Sequence, residues 1–344
     1  MRGVTAWMED RQVALYLAAI GVGVVCGLQA PQIAPRLEAL INPAIALLLF
    51  ATFLAIPFAD LRRATRSPRY LLAALTLNFV VVPVVVYALT RLIADDQVLL
   101  VAALFVLLVP CIDYVLVFTG LAGGDTATLL ASTPILMLAQ ILLLPLYMTV
   151  MVGSEFAQVL EARPFIEAFV VLIVLPLLAA MIVRHLAGAA DALGEPGTGS
   201  ASSAVVAPEE RIGVTVRLGA AVYRGGIRAM VPLMMLTLAV VAGSQIHGVR
   251  DSLPDLLRVI PLFVVFPVIL IPLGILAGRV ARLDVRARRS LVFTGVTRNS
   301  LVVLPLVLAL PAGFELAPLV AVTQTLIELL VMLAMVRAVP RLVR

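Results

Sequence analysis

The chain contains no lysine: all 25 of its basic residues are arginine. They flank apolar runs and form no stripe beside stacking aromatics, which argues against a nucleic-acid surface and leaves nucleic acid out as a partner. Charged residues make up only 13% of the sequence, against about 25% in soluble domains, so no wetted globular surface can be built from it. Cysteine is nearly absent. Cys26 and Cys111 both sit inside apolar runs, which excludes a disulfide framework and a zinc-ligand spacing. The two histidines, His185 and His247, lie at span ends, and no glycine-rich phosphate loop carries a lysine. An enzyme, an ATP-driven pump within this chain and a bound cofactor are therefore not expected. What is abundant is apolar surface, 62% of residues at a mean hydropathy of +1.13. It falls in blocks of about 18–25 residues, the length a helix needs to cross the hydrocarbon of a bilayer. The expected class is an all-α polytopic membrane protein, with 1–344 as a single transmembrane domain and the lipid bilayer as its solvent.

Charge and Gly/Pro punctuation divide the apolar runs into ten spans: 12–29, 41–58, 70–91, 97–122, 127–152, 165–185, 227–246, 256–278, 289–310 and 315–336. Glu9 and Asp10 ahead of the first run, and no small-residue cleavage site after it, predict a retained helix and no removable signal. Two arginines at the N-terminus, four in the second loop, five in the sixth, five in the eighth and three in the tail share one side. Nineteen therefore stand against five on the other, with Arg298 in neither set. The positive-inside rule puts both termini in the cytoplasm, as an even span count also requires, and the plasma membrane is the expected location. Residues 187–210 are rich in Gly, Ala, Ser and Pro and read as a cytoplasmic linker without structure. The stretch from Arg211 to Arg228 reads equally as a surface-lying amphipathic segment or as an extension of the seventh span.

Phe79-Val80-Val81-Val82-Pro83-Val84 in the third span resembles Phe263-Val264-Val265-Phe266-Pro267-Val268 in the eighth, at an offset of 184. The same offset carries Pro110-Cys111-Ile112-Asp113-Tyr114 in the fourth span onto Thr294-Gly295-Val296-Thr297-Arg298 in the ninth. Both are polar interruptions inside apolar helices. The expectation is two five-helix repeats, 12–152 and 165–336, inverted because five is odd, with helices 4 and 9 discontinuous. Transporters of this plan hold small solutes where broken helices expose backbone near the bilayer midplane.

An ionisable side chain at that depth costs about 2.5–3.5 kcal/mol on insertion scales, so each one needs a reason. Three stand deep inside spans, away from their ends: Asp113, Arg298 and Glu328. Asp113 and Arg298 occupy the two breaks and are expected to pair there, with Asp113 exchanging a proton and Arg298 releasing it as solute arrives; pinning of the crossover is the plainer alternative. Glu328, one turn after Gln324, reads as a buried glutamic acid or as part of a proton relay. Cys111 beside a broken helix is a candidate thiolate ligand. Asn78, Tyr114, Asn299, Ser300, Thr294 and Thr297 are candidates to line a polar chamber around it, or to bond between helices.

Cys111-Ile112, Val115-Leu116-Val117-Phe118 and Leu121-Ala122-Gly123-Gly124-Asp125 resemble the fourth-helix signature of the arsenite efflux permeases within the bile acid:sodium symporter superfamily. Phe293-Thr294 followed by Asn299, and Glu328 between apolar pairs, are similar to that family's ninth and last helices. The resemblance implies a ten-helix fold with panel and core domains and proton-driven export of arsenite or antimonite. On this likeness the transport cysteine is Cys111 and one ninth-helix asparagine is Asn299. Pro110, Phe118 and Leu301 stand where the family has arginine, tryptophan and glutamate, and Asp113 is the candidate to take over the proton. Thr294 and Arg298 stand where sodium-coupled relatives carry a sodium-binding glutamate and glutamine. A fixed guanidinium there would repel sodium. The leading expectation is a secondary antiporter with a metalloid solute and protons as partners. An organic-anion transporter of the same fold, with Arg298 pairing the substrate, is the alternative, and a membrane sensor or scaffold the third.

Overall fold

The structure is a computed structural model that describes residues 7–8, 11–55, 67–111, 114–153, 167, 170–192, 214–308, 310 and 313–344. Among these the chain is helical throughout and holds no strand, apart from one isolated two-residue bridge. The helices are α1 (Gln12–Gln29), α2 (Ala34–Ala55), α3 (Pro68–Ile93), α4 (Gln97–Leu108), α5 (Val115–Leu121), α6 (Thr126–Val152), α7 (Leu175–Ala192), α8 (Val214–Asp251), α9 (Leu253–Val280), α10 (Val285–Val296), α11 (Ser300–Leu308) and α12 (Ala317–Leu342). Six of the described helical segments are long and apolar enough to cross a bilayer, namely α3, α6, α9, α12, and the segments Pro31–Ala55 and Leu218–Ile246. The chain is a multi-pass membrane protein.

Helix starts follow local chemistry. Asp96, Asp125 and Asp284 each accept a hydrogen bond from a backbone N–H three residues on, at 3.0, 3.0 and 2.7 Å, and so cap α4, α6 and α10. Asp125, the last residue of the Leu121–Asp125 motif, is thus a helix cap. Gly123 before it takes φ +67°, a turn that L side chains rarely adopt. Several helices run past their expected starts or ends. Pro35 at the second position of α2 is compatible with a helical first turn, where its missing N–H is not needed, and exposed Arg36 and Glu38 ride the turns before the apolar run. The helix α7 continues to Ala192, six residues into the stretch read as a linker; residues 193–210 lie outside the described residues. From Val214 onward the basic segment is a continuous helical extension of the seventh span.

The chain divides into two compact units, Met1–Ala55 with Phe169–Ser244, and Ile56–Ala168 with Gln245–Arg344. Each takes helices from both halves of the sequence. In the first unit, α1 meets α8 where Gly23 lies directly on the backbone of Ala239: a Cβ built at Gly23 would stand 2.3 Å from the Ala239 carbonyl oxygen. Small residues let membrane helices approach this closely. The Arg184 guanidinium donates to the Leu54 carbonyl at 2.8 Å, satisfying the end of α2. Gly23→Val is expected to separate α1 from α8 and cost about 1–3 kcal/mol, the usual penalty of overpacking, read as a lowered melting temperature in detergent; Gly21, with open space at its Cβ, serves as the neutral control.

In the second unit, α4 is buried on every face from Leu99 to Leu108. Against it pack α3, α6, α11 and α12, and α3, α6 and α9 turn large apolar side chains outward. On α6, Leu138, Leu142, Leu146 and Val150 are exposed at intervals of four, while Ser132, Thr133, Leu136 and Gln140 face inward. Such a stripe on a bilayer-spanning helix is its lipid face. At one end Asp95 is held at 2.6 Å by Arg258, which keeps its carboxyl below the ordinary range.

Candidate functional site

The buried centre of the second unit is a crossing of two interrupted helices. Pro110 lacks an N–H and disfavours helical backbone at the residue before it, so α4 stops at Leu108 and Val109 is extended (φ −98°, ψ 110°). Thr297 is likewise extended after α10 (φ −77°, ψ 128°). Its hydroxyl folds back to donate to the Phe293 carbonyl at 2.8 Å. The second interruption is therefore Thr297–Asn299, narrower than the offset of 184 suggests, since Thr294, Gly295 and Val296 stay helical. The two extended pieces pair as a one-step antiparallel bridge: Cys111 N donates to Thr297 O at 3.0 Å and Asn299 N to Val109 O at 2.8 Å. Pro110 and Arg298 face each other in the register position where no inter-strand bond is needed, which is how a proline fits there.

Arg298 is fully buried at 0% exposure. Its guanidinium is held by oxygen atoms gathered from three directions. Nη2 donates to Thr294 O at 2.7 Å, Gly295 O at 2.8 Å and Asn78 Oδ1 at 2.8 Å, and Nη1 reaches Leu107 O at 3.5 Å. The carbonyls belong to the last turns of α10 and α4, whose dipoles present partial negative charge. Asn78 is aimed by a π turn at Leu77–Val81 within α3 and anchored through its amide to Ala74 O at 3.0 Å. Such turns recur at functional sites because they displace one side chain from the helical register. The ring of Phe266 lies 5.6 Å beneath the guanidinium.

From α12, Glu328 enters the same place. It accepts from the Arg298 backbone N–H at 2.9 Å and from the Tyr114 hydroxyl at 2.7 Å. Gln324 donates to it through a short contact and accepts from the Ser300 hydroxyl through another. Tyr114 also stands 3.0 Å from the Arg298 carbonyl. The guanidinium interacts electrostatically with Glu328, Cys111 and Tyr114.

The structure thus gathers Cys111, Tyr114, Asn78, Asn299, Ser300, Arg298 and Glu328 at one crossing. Asp113 lies outside the described residues, and so does the expected pairing of its carboxylate with Arg298. Asn299 caps α11 by accepting from Val302 N at 3.1 Å. Sequence reasoning named neither the backbone carbonyls around Arg298 nor Phe266 as part of the site. The carbonyls carry no side-chain signal; Phe266 stands in the repeat and could be picked out by its position immediately before Pro267. Among the described residues, Arg298 Nε and Thr294 Oγ1 are buried polar atoms at this crossing without a hydrogen-bond partner. Cys26, by contrast, is exposed on α1.

A sodium ion, which the superfamily implies, needs several oxygen ligands. Here Asn78 Oδ1, Thr294 O and Gly295 O are all spent on the guanidinium, and the set does not fit sodium while Arg298 is in place. No curated protein matches the chain. Residues 42–196, which include Asn78, Cys111 and Tyr114 and stop short of Arg298 and Glu328, match the model of the Sodium Bile acid symporter family, and this supports the superfamily and a reading of the chain as a membrane transporter.

Proposed function

We propose that the chain is a sodium-independent secondary transporter that exports arsenite or antimonite in exchange for protons. The observation that carries this reading is a buried thiol, Cys111, at the meeting point of two broken helices, beside buried polar atoms left unsatisfied at Arg298 Nε and Thr294 Oγ1. Trivalent arsenic in neutral water is an uncharged hydroxide. It exchanges one hydroxyl for the sulfur of Cys111, forming As–S as As–O and S–H break, with water leaving. A single sulfur holds the solute weakly enough for a carrier to release it. The solute's remaining hydroxyls can satisfy the free donor and acceptor atoms at the crossing.

The organic-anion alternative has less support, because the guanidinium is fully buried and its Nη2 hydrogens are already engaged. Arg298 acts here as a fixed internal cation in place of a coupling ion. Asp113 carries the exchanged proton, and Glu328 belongs to the same relay. The ten spans form two inverted repeats, 12–152 and 165–336, with both termini cytoplasmic in the plasma membrane. The first compact unit is the panel and the second, with the crossing, is the core.

Everted vesicles provide the test. Arsenite uptake driven by a pH gradient in sodium-free buffer is expected, unchanged by added sodium and lost in Asp113→Asn. Uptake that needs sodium, or that survives in full in Asp113→Asn, overturns the coupling scheme.

A further inference from the structure

The Tyr114 hydroxyl stands within hydrogen-bonding distance of two acceptors, Glu328 Oε1 at 2.7 Å and the Arg298 carbonyl at 3.0 Å, and carries one hydrogen. It cannot donate to both. While Glu328 is ionised, the hydrogen goes to the carboxylate, since bonds to a charged acceptor are about twice as strong as neutral ones. The Arg298 carbonyl then has no donor from Tyr114. In this register the Arg298 carbonyl points away from the Val109–Cys111 strand, whose bonds go to Thr297 and Asn299 instead. When Glu328 takes a proton on Oε1, the directions reverse: Oε1–H donates to the Tyr114 oxygen, and the Tyr114 hydrogen turns to the Arg298 carbonyl. Glu328 Oε1, the Tyr114 hydroxyl and the Arg298 carbonyl then each have a partner. The other carboxylate oxygen accepts from Arg298 N and Gln324 in both states.

We propose that Tyr114 is a proton-operated clasp: protonation of Glu328 turns the Tyr114 hydroxyl onto the Arg298 carbonyl and ties the two broken helices to each other directly, and loss of that proton returns the hydroxyl to the carboxylate and undoes the direct tie. The proposal rests on the proton-exchange reading above for its purpose, while its geometry stands apart from the identity of the solute. Tyr114 is a positioning residue. Because it lies three residues after Cys111 and joins the α4–α5 interruption to the α10–α11 interruption, it links the proton at α12 to the segment that carries the thiol. The groups facing Glu328 and its partners, among the described residues, are Arg298 from the crossing, Tyr114 and Cys111 from the α4–α5 interruption, and Ser300 from α11 through Gln324. Phe266 from α9 lies beside the guanidinium and does not titrate.

Hydrogen exchange of the full-length protein in lipid nanodiscs tests this, read on peptides containing Cys111 and Asn299, whose N–H groups make the bridge. After correction for the intrinsic pH dependence of exchange, protection is expected to be about fivefold to tenfold higher in acid than in alkali, the equilibrium effect of one buried hydrogen bond. Glu328→Gln presents an N–H where the protonated acid has its hydroxyl. It should hold the acid level of protection at both pH values, and Tyr114→Phe should hold the alkaline level at both. An infrared carbonyl band of a protonated carboxylic acid should appear in acid, vanish in Glu328→Gln and shift in Tyr114→Phe. Protection that ignores pH in the parent, or that follows pH equally in Tyr114→Phe, overturns the clasp, as does a band unmoved by Tyr114→Phe. These readouts need no flux, so a clasp without proton-driven transport refutes the transport reading alone, and proton-driven transport without the pH-dependent protection refutes the clasp alone.

Discussion

Arg298→Ala is expected to destabilise the second unit by about 3–5 kcal/mol, the cost typical of removing one partner from a buried charged group. The reason is a count of what is left behind. Thr294 O, Gly295 O, Asn78 Oδ1 and Leu107 O all lose their guanidinium donor in a place water does not reach. Glu328 keeps its backbone bond to residue 298 but loses the positive charge beside it. Arg298→Lys restores the charge without the planar fork and should recover only part of the loss, because an ammonium cannot span carbonyls from two helix ends and an amide at once. The measurement is thermal unfolding in detergent monitored by the fraction that remains monodisperse. A melting temperature in Arg298→Ala equal to that of the parent would mean that the guanidinium is not what fastens the crossing.

Cys111→Ser is expected to abolish metalloid transport, with uptake falling to that of vesicles lacking the protein and resistance lost in a sensitive host. The fold should survive. The bridge uses the backbone of residue 111, with its N–H on the Thr297 carbonyl, and serine differs from cysteine by one atom. Serine oxygen does not replace thiolate sulfur as a ligand for a soft centre. Cys26→Ser, on the exposed face of α1, should transport normally, which separates a thiol in the site from a thiol elsewhere. Growth on arsenite, antimonite and arsenate in parallel distinguishes the trivalent hydroxides from an anion.

Much of this arrangement could be read from the residues. Apolar run length marked the six described helical segments long enough to cross a bilayer, because a bilayer imposes one length on every helix that crosses it. Pro110 and the polar residues after Phe293 marked the two interruptions for a similar reason, since neither is tolerated in an apolar helix without partners. Three buried polar side chains, Asn78, Arg298 and Glu328, stood out against hydrophobic surroundings and meet in space. Less legible was anything made by backbone. The π turn that aims Asn78 has no sequence signature in Leu77–Val81, and the carbonyls that hold Arg298 are backbone atoms that residue type does not announce. The expected pairing of Arg298 with Asp113 rests on opposite charges placed in the two breaks, and Asp113 lies outside the described residues. Among the described residues, helix ends and an asparagine supply acceptors that bind the guanidinium, and these carry no formal charge to be read. The helix through Ala192 was missed because small residues next to glycine look like linker, although alanine is the strongest helix former.

The most direct test of a solute site at the crossing is arsenic-edge X-ray absorption on the purified protein equilibrated with arsenite. The predicted result is a sulfur neighbour to arsenic in the parent and in Cys26→Ser, replaced by an all-oxygen shell in Cys111→Ser. An all-oxygen shell in the parent, or a sulfur neighbour that persists in Cys111→Ser, would contradict it.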